Sequence, residues 1–236
     1  MDQKPSLYLF PVQLGDAPLE EVLPSHNIAI VSTVKYFIVE NIRSARRFLK
    51  ACNKAINIDE LTFFTLNEHT DLASIPSMLK PLEEGFSMGI ISEAGCPAIA
   101  DPGADVVAIA QQRGYNVVPL VGPSSILLSL MASGFNGQSF AFNGYLPIDQ
   151  ATRSNKLKEM ERRIRRERQS QIFIETPYRN NKLIEDLSRT MPGDLLLCVA
   201  SDITGPNQSI ITRKLSQWNK AKYNYNKIPT IFLLFS

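Results

Sequence analysis

The sequence is short of cysteine, histidine and net charge. Its three cysteines, Cys52, Cys96 and Cys198, are odd in number and far apart, so they do not form a disulfide framework. No C-x-x-C pair offers a zinc site. The two histidines, His26 and His69, are not clustered, and a metal role is not expected of them. No apolar run approaches the roughly 20 residues that span a bilayer. The N-terminus, MDQKPSLYLF, lacks the layout of a signal peptide. Together these absences predict a cytoplasmic chain in a reducing compartment. Neither G-x-G-x-x-G nor G-x-x-x-x-G-K-[ST] occurs, so no nicotinamide dinucleotide or nucleoside triphosphate site is expected. No internal repeat or low-complexity segment is visible.

The chain has 236 residues, 44% hydrophobic and 20% charged. That balance belongs to a folded protein and excludes an acidic or basic disordered tail. The length suits one large domain or two compact halves. The net charge of +2 hides an asymmetry. Residues 1–118 carry 9 basic and 14 acidic side chains, and residues 119–236 carry 16 and 9. A basic half suits a polyanionic partner, although solvated faces account for it equally well.

Strand-like runs alternate with helix-like ones. The strand-like runs in the first half are Leu7–Phe10, Ile28–Ser32, Leu61–Thr65, Met88–Ser92 and Tyr115–Leu120. Helical patterns fall around Ser44–Cys52, Ala73–Glu83 and Ala104–Arg113. This alternation predicts an α/β fold with a mostly parallel sheet covered on both faces. Gly122-Pro123 is followed by a helix, Ser124–Ser133, with Ser124 as a candidate N-cap. Strands are then predicted near Ser139–Tyr145, Ile172–Glu175, Leu195–Ala200, Ser209–Thr212 and Thr230–Phe235, with helices at Thr152–Arg168 and Asn180–Thr190. Strand five ends where the charge balance changes sign, which predicts one domain over 1–120 and a second over 121–236.

In the helix Thr152–Arg168, Leu157, Met160 and Ile164 form one narrow apolar stripe. Arg162, Arg163, Arg165, Arg166 and Arg168 crowd its C-terminal half. Guanidinium forks match phosphate geometry, so this face suits an RNA backbone. Some of the charge also favours a helix C-terminus with no ligand. A second basic group comprises Arg213, Lys214, Lys220, Lys222 and Lys227.

The most informative stretch is Ile90–Gly103, IISEAGCPAIADPG. It opens as a buried strand, turns at Glu93-Ala94-Gly95-Cys96-Pro97 and closes on Asp101-Pro102-Gly103 before a helix. A rigid loop at the C-terminal end of a parallel strand is where open α/β sheets bind ligands. Its simpler reading is a strand–loop–helix turn capped by Asp101. Pro11–Asp16 after the first strand and Val121–Ser125 after the fifth have the same character, so three loops could line one crevice.

The segments LYLFPVQLGD, ISEAGCPAIADPG, VVPLVGPSSILLSLMASG, FNGYLP and FIETPYR resemble, in this order, the tetrapyrrole-methylase superfamily, the class III S-adenosylmethionine-dependent methyltransferases. Within it the chain is most similar to the bacterial small-subunit rRNA ribose 2′-O-methyltransferases. The resemblance implies two α/β domains, the first with a mostly parallel sheet and the second with a mixed one. It also implies S-adenosylmethionine in the cleft between them, a homodimer, and small-subunit rRNA as substrate. By motif position, cofactor contacts are implied for Pro11, Leu14, Glu93, Ala94, Gly95, Ile99, Ala100, Ser124 and Ser125. The second domain would add backbone around Ile174, Val199, Ala200 and Thr230. No metal is implied.

Several motifs depart from the family pattern. G-N-L-x-D becomes Gln13-Leu14-Gly15-Asp16. E-D-T-R becomes Glu40-Asn41-Ile42-Arg43. S-D-A-G-T-P carries Glu93 and Cys96 in place of Asp and Thr. R-E-L-T-K becomes Ser201-Asp202-Ile203-Thr204-Gly205, without either cation.

Methyl transfer to oxygen needs in-line approach of a hydroxyl to the methyl carbon, and positioning supplies much of the acceleration. A ribose hydroxyl is a poor nucleophile and gains from a nearby base. Glu175, at a strand end, is the candidate base, and Arg179 could hold a phosphate or orient it. The pair could equally be an ion pair at a helix start. Glu40 and Arg43 form a second such pair. The competing readings are the same fold acting on a tetrapyrrole, another RNA or a protein, and a ribosome-associated binding protein that has lost catalysis.

Overall fold

A computed structural model describes residues 4–67 and 70–236. His69 lies outside the described residues. The chain divides into two compact units, one ending at Ser124 and the other running Ser125–Ser236.

The first unit holds β1 (Ser6–Phe10), α1 (Leu19–Val22), α2 (Ser25–Val31), β2 (Tyr36–Val39), α3 (Ile42–Cys52), β3 (Thr62–Thr65), α4 (Ile75–Met78), α5 (Lys80–Glu83), β4 (Met88–Ile91), α6 (Gly103–Gln112) and β5 (Asn116–Pro119). Its five strands are all parallel, in the order β3-β2-β4-β1-β5. Alternate residues feed the two faces. Tyr8, Phe10, Phe37 and Val39 pack with Val31, Phe48 and Leu49 on one face. Leu7, Ile38, Met88 and Ile90 pack with Ile75, Met78, Val106 and Ala110 on the other. Pro119 sits in edge strand β5, which pairs only with β1, so its missing donor leaves no ladder bond unmade on the outer side.

Two expectations are corrected here. Ile28–Ser32 is not a strand: Ser25–Val31 is helix α2, and the second strand is Tyr36–Val39. A short apolar run does not distinguish a strand from a buried helix by periodicity. Pro24, with its fixed φ of −59°, starts the helix at the following residue. The helix expected over Ala73–Glu83 is broken into α4 and α5, because Pro76 and Pro81 each tolerate only a first-turn position.

The second unit holds α7 (Ser125–Ser133), β6 (Phe140–Tyr145), α8 (Gln150–Glu167), β7 (Ser170–Ile174), α9 (Asn180–Thr190), β8 (Leu196–Ser201), β9 (Ser209–Lys214), α10 (Leu215–Trp218) and β10 (Thr230–Phe235). The sheet order is β6-β7-β10-β8-β9. β6 and β7 are parallel and the other pairs antiparallel, so the sheet is mixed. Leu157, Met160 and Ile164 of α8 are buried against Phe173, Leu197 and Phe232, as their spacing predicts. Asp149 caps α8, its carboxylate accepting from the Thr152 amide at 2.8 Å. Trp218 donates its indole N–H to the Leu197 carbonyl at 3.0 Å, which satisfies the polar atom of a wholly buried ring.

The arginines of α8 are less free than the sequence suggests. Arg163 pairs with Glu159 at 2.7 Å, and Arg165 with Glu161 at 2.9 Å and Asp194 at 3.2 Å. Arg168 lies over the Phe235 ring and donates to the Ser236 carbonyl. Arg162 and Arg166 make no ion pair among the described residues.

Candidate functional site

Strands β4, β1 and β5 are neighbours, so their C-terminal ends deliver three loops side by side. The loops interlock. Val12 donates its amide to the Gly95 carbonyl at 2.9 Å and accepts the Gly95 amide at 3.0 Å. The Cys96 thiol reaches the Pro123 carbonyl at 3.4 Å. A Cβ on Gly122 would collide with the Pro11 ring, so only glycine lets these two loops meet. Gly95 has φ of +70°, the left-handed region open to glycine. Asn27 of α2 steadies the third loop by donating to the Val121 carbonyl at 2.8 Å.

The long loop after β4 is strained. Ala98 and Ala100 have φ of +64° and +59°, where a side chain crowds the following carbonyl. Asp101 offsets this. Its Oδ1 accepts from the Ala98 amide at 2.9 Å and the Gly103 amide at 2.7 Å. Its Oδ2 is buried without a hydrogen-bond partner. Burial raises the Asp101 pKa, against the two amide bonds. Glu40, at the end of β2, is raised first by burial and then by the charge of Asp101. Glu40 and Arg43 share no ion pair among the described residues; the neighbours that shift Glu40 are Asp101 and Glu93.

An open cleft of about 420 Å³ lies along the first two loops. Gln13, Leu14, Glu93 and Ala94 line it, with Ser44, Arg47 and Phe48 from α3 on the far wall. Glu93 accepts from the Ser44 hydroxyl at 2.9 Å. Gln13 Oε1 is buried with no partner, an acceptor awaiting a donor. These features fit S-adenosylmethionine. They comprise an unpaired acceptor for an N–H, exposed loop residues at Glu93, Ala94, Ile99 and Ala100, and a close-approach glycine. Among the described residues, no group of three His, Cys, Asp or Glu side chains is placed to hold a metal ion.

The sequence-predicted residues of the first unit therefore converge: Pro11, Leu14, Glu93, Ala94 and Gly95 lie in interlocked loops, and Ile99 and Ala100 form an exposed tip. Ser124 closes the third loop, and Ser125 opens α7. In the second unit, Ile174, Ile231 and Ala200 form one row across three strands, with Thr230 beside it. Val199 is wholly buried. Glu175 follows β7 and is buried. Its Oε1 accepts from the Thr176 amide at 2.7 Å and from Arg179 Nη2 at 2.7 Å and Nε at 3.2 Å.

Sequence reasoning missed Gln13, Asn27 and Ser44, and it read Asp101 as a cap without its second bond, to the Ala98 amide. A lone Asn within the apolar run Asn27–Val31 was the available signal for one of them. The changed motifs keep their backbone roles. Asn41, where the family has Asp, still caps α3 by accepting from the Arg43 and Ser44 amides. The Ser201–Gly205 segment closes on itself, with the Gly205 amide donating to the Asp202 carbonyl at 2.8 Å and Asp202 Oδ2 accepting from Asn207 at 2.8 Å. The thiols are poor nucleophiles: burial pushes Cys52 up to about 12 and Cys198 to about 11.

The chain matches no protein-family model. It is 30% identical over 206 residues to the ribosomal RNA small subunit methyltransferase I of Vibrio cholerae, covering 87% of this chain and 67% of that one. It is 27% identical over 231 residues to the protein of the same name from Escherichia coli O157:H7, covering 97% and 77%. Its fold is similar to the crystal structure of the methyltransferase CobJ, with a TM-score of 0.64 at 16% identity, covering 98% of this chain and 93% of that one. With its parallel and mixed five-stranded sheets, its interlocked loops and this kinship, the chain belongs to the ribosomal RNA small subunit methyltransferase I family, S-adenosylmethionine-dependent methyltransferases of the tetrapyrrole-methylase superfamily.

Proposed function

We propose that the protein 2′-O-methylates a ribose of small-subunit rRNA. The observation that carries the donor half is the two-way Val12–Gly95 bridge, which fixes the loops against one another. When bound, S-adenosylmethionine supplies an activated methyl group on a sulfonium. Gln13 Oε1 and the main chain of Glu93 and Ala94 hold it through hydrogen bonds, and Leu14 and Ile99 cover its apolar parts. Pro11, Ala94, Ala100, Ser124 and Ser125 complete the contacts from the first three loops.

The acceptor half rests on the relatives and on charge, since residues 119–236 carry the basic excess. Arg179 orients Glu175 through Oε1, and Glu175 receives the proton of the ribose hydroxyl at its other oxygen. The burial of Glu175 places this proton acceptor out of bulk water. Such a substrate places the protein in the cytoplasm, where ribosomes mature.

The protein works as a homodimer through α7. This helix turns Ser129 and Ser133 inward, each bonded back to a carbonyl three residues earlier, and leaves Met131 79% exposed and Leu127 52% exposed. A helix apolar on its outer face is covered by a partner, and a second copy offers the same face.

The test is methyl transfer from labelled donor to small ribosomal subunits from a strain lacking this protein. Label in a ribose 2′-O-methyl nucleotide supports the reading. Donor binding without transfer to any ribosomal particle would favour the reading as a binding protein without catalysis.

A further inference from the structure

A groove between α8 and α9 involves none of the residues assigned above to the methyl donor or to the base; Glu161, which also lines it, is paired with Arg165. Its floor is Leu157, Leu183 and Leu187, and it encloses about 110 Å³. On its rim the Asp186 carboxylate gathers three cations. Oδ1 accepts from Arg189 at 2.7 Å and forms an ion pair with Lys182 at 3.2 Å, and Oδ2 accepts from Arg153 of α8 at 3.3 Å. Lys158 also lines the groove and makes no ion pair among the described residues.

The contrast with the C-terminal half of α8 is informative. There Arg163 and Arg165 face Glu159, Glu161 and Asp194, so each of these two arginines has a carboxylate of its own, while Arg162 and Arg166 make no ion pair among the described residues. Around Asp186 three cations face one carboxylate. Like charges held this close repel, and one partner would suffice to satisfy a single carboxylate. Asp186, only 12% exposed, instead fixes an excess of positive charge in one place. Arg153 and Arg189 each give one nitrogen to Asp186, and neither side chain makes another hydrogen bond among the described residues. Their remaining donors suit the oxygens of a phosphodiester.

We propose that this groove, organised by Asp186, is the point where a backbone phosphate of the RNA acceptor docks. The proposal rests on the RNA reading above and relocates the main contact from the C-terminal arginines of α8, where Arg163 and Arg165 are already matched. Phosphate contacts set register without reading sequence, as an enzyme that relies on a separate site for chemistry requires.

The test uses the full chain and a fluorescein-labelled small-subunit rRNA fragment, with affinity measured by anisotropy over a range of salt. Lys182 and Arg189 are exposed, so Lys182→Gln/Arg189→Gln leaves the core intact. RNA affinity is expected to fall roughly tenfold, and the slope of log affinity against log salt to become shallower by about 1, because fewer counterions are released. Lys158→Gln alone should move the slope the same way. Affinity for S-adenosylmethionine, by titration calorimetry, should not change. Unchanged RNA affinity and slope in both variants overturns the proposal. So does a larger loss in Arg162→Gln/Arg166→Gln, which would return the contact to the arginine face. A loss seen toward polyglutamate but not toward RNA overturns it in favour of an acidic protein. If the wild-type chain binds no RNA at all, the acceptor reading fails first, and the groove proposal falls with it.

Discussion

Asp101 clamps Ala98. The carboxylate Oδ1 accepts the Ala98 amide at 2.9 Å while Ala98 holds a φ of +64°, and the same oxygen takes the Gly103 amide at 2.7 Å. One side chain thus ties both ends of a strained loop whose tip, Ile99 and Ala100, is proposed to touch the methyl donor. Asp101→Ala removes the clamp and lets the loop relax. A left-handed alanine stores about 1–2 kcal/mol, and about 1.4 kcal/mol is tenfold in affinity. The donor KM is therefore expected to rise roughly tenfold with kcat little changed. Asp101→Asn keeps an acceptor oxygen and should restore most of the affinity. Steady-state kinetics at saturating RNA would show this, and an unchanged KM in Asp101→Ala would remove the clamp from the argument.

Glu40 and Asp101 also set a pH dependence. Both carboxyls are raised in the folded protein from ordinary values of 4.5 and 3.8, with burial the first cause for each. The native state therefore holds protons that the unfolded chain has released, and stability falls as pH rises from those ordinary values through the raised ones. Glu40→Gln keeps an acceptor for the Glu93 amide and removes the half-buried charge beside Asp101. It should raise the melting temperature at neutral pH and flatten the profile in mildly acidic buffer. A variant less stable than wild type at neutral pH would show that the Glu40 charge has a stabilising partner.

Glu175 tests the chemistry. Its ion pair with Arg179, at 2.7 Å, is compatible with an orienting role and with a purely structural one. Glu175→Gln preserves shape and the contact to the Thr176 amide. As a base, Glu175 would cost roughly two to four orders of magnitude in turnover when removed, with donor affinity intact. A drop in melting temperature with turnover within a few-fold of wild type would assign the pair to structure alone.

Met131 tests the oligomer. Met131→Lys places a charge at the centre of the exposed face of α7 and touches none of the buried packing of that helix. Sedimentation should show the wild-type chain as a dimer and the variant as a monomer with an unchanged melting profile at low concentration. A wild-type chain that sediments as a monomer would exclude a dimer held by α7.

Much of this architecture is legible in the sequence because local signals agreed with the fold. The Thr230–Phe235 strand and the Asn180–Thr190 helix fall where periodicity places them, and the α8 stripe is buried as its spacing requires. Ile28–Val31 misled because four apolar residues carry no period of their own, and Pro24 outweighed their strand propensity. The loops were legible from glycine and proline, which mark backbone that other residues cannot adopt. The partners of those loops were not. Ser44 with Glu93, and Asn27 with Val121, join residues 49 and 94 positions apart, and such pairings depend on the sheet order. The ion pairs of the basic helix were not legible either, since a count of arginines does not reveal Asp194 on another element.

Gly95 offers the sharpest test of the donor site, because a matched control exists. Gly95 and Gly114 both have φ of +70°. An alanine at either pays the same left-handed penalty, about 1–2 kcal/mol, so both variants should melt a few degrees lower. Their surroundings differ. A Cβ at Gly114 meets nothing within 4 Å, whereas at Gly95 it lies 3.2 Å from Leu14 Cδ2 and 3.6 Å from the Pro123 carbonyl. It therefore pushes on the two loops that flank the proposed ligand, at the residue that bridges Val12 in both directions. Leu14 can yield by a few tenths of an ångström, but only by moving within the cleft it lines. Gly95→Ala is expected to lose at least tenfold in S-adenosylmethionine affinity, and Gly114→Ala to bind as wild type does. Calorimetric titration of both variants beside their melting curves separates the ligand effect from backbone strain. Equal donor affinity in the two would move the donor away from the Gly95 loop.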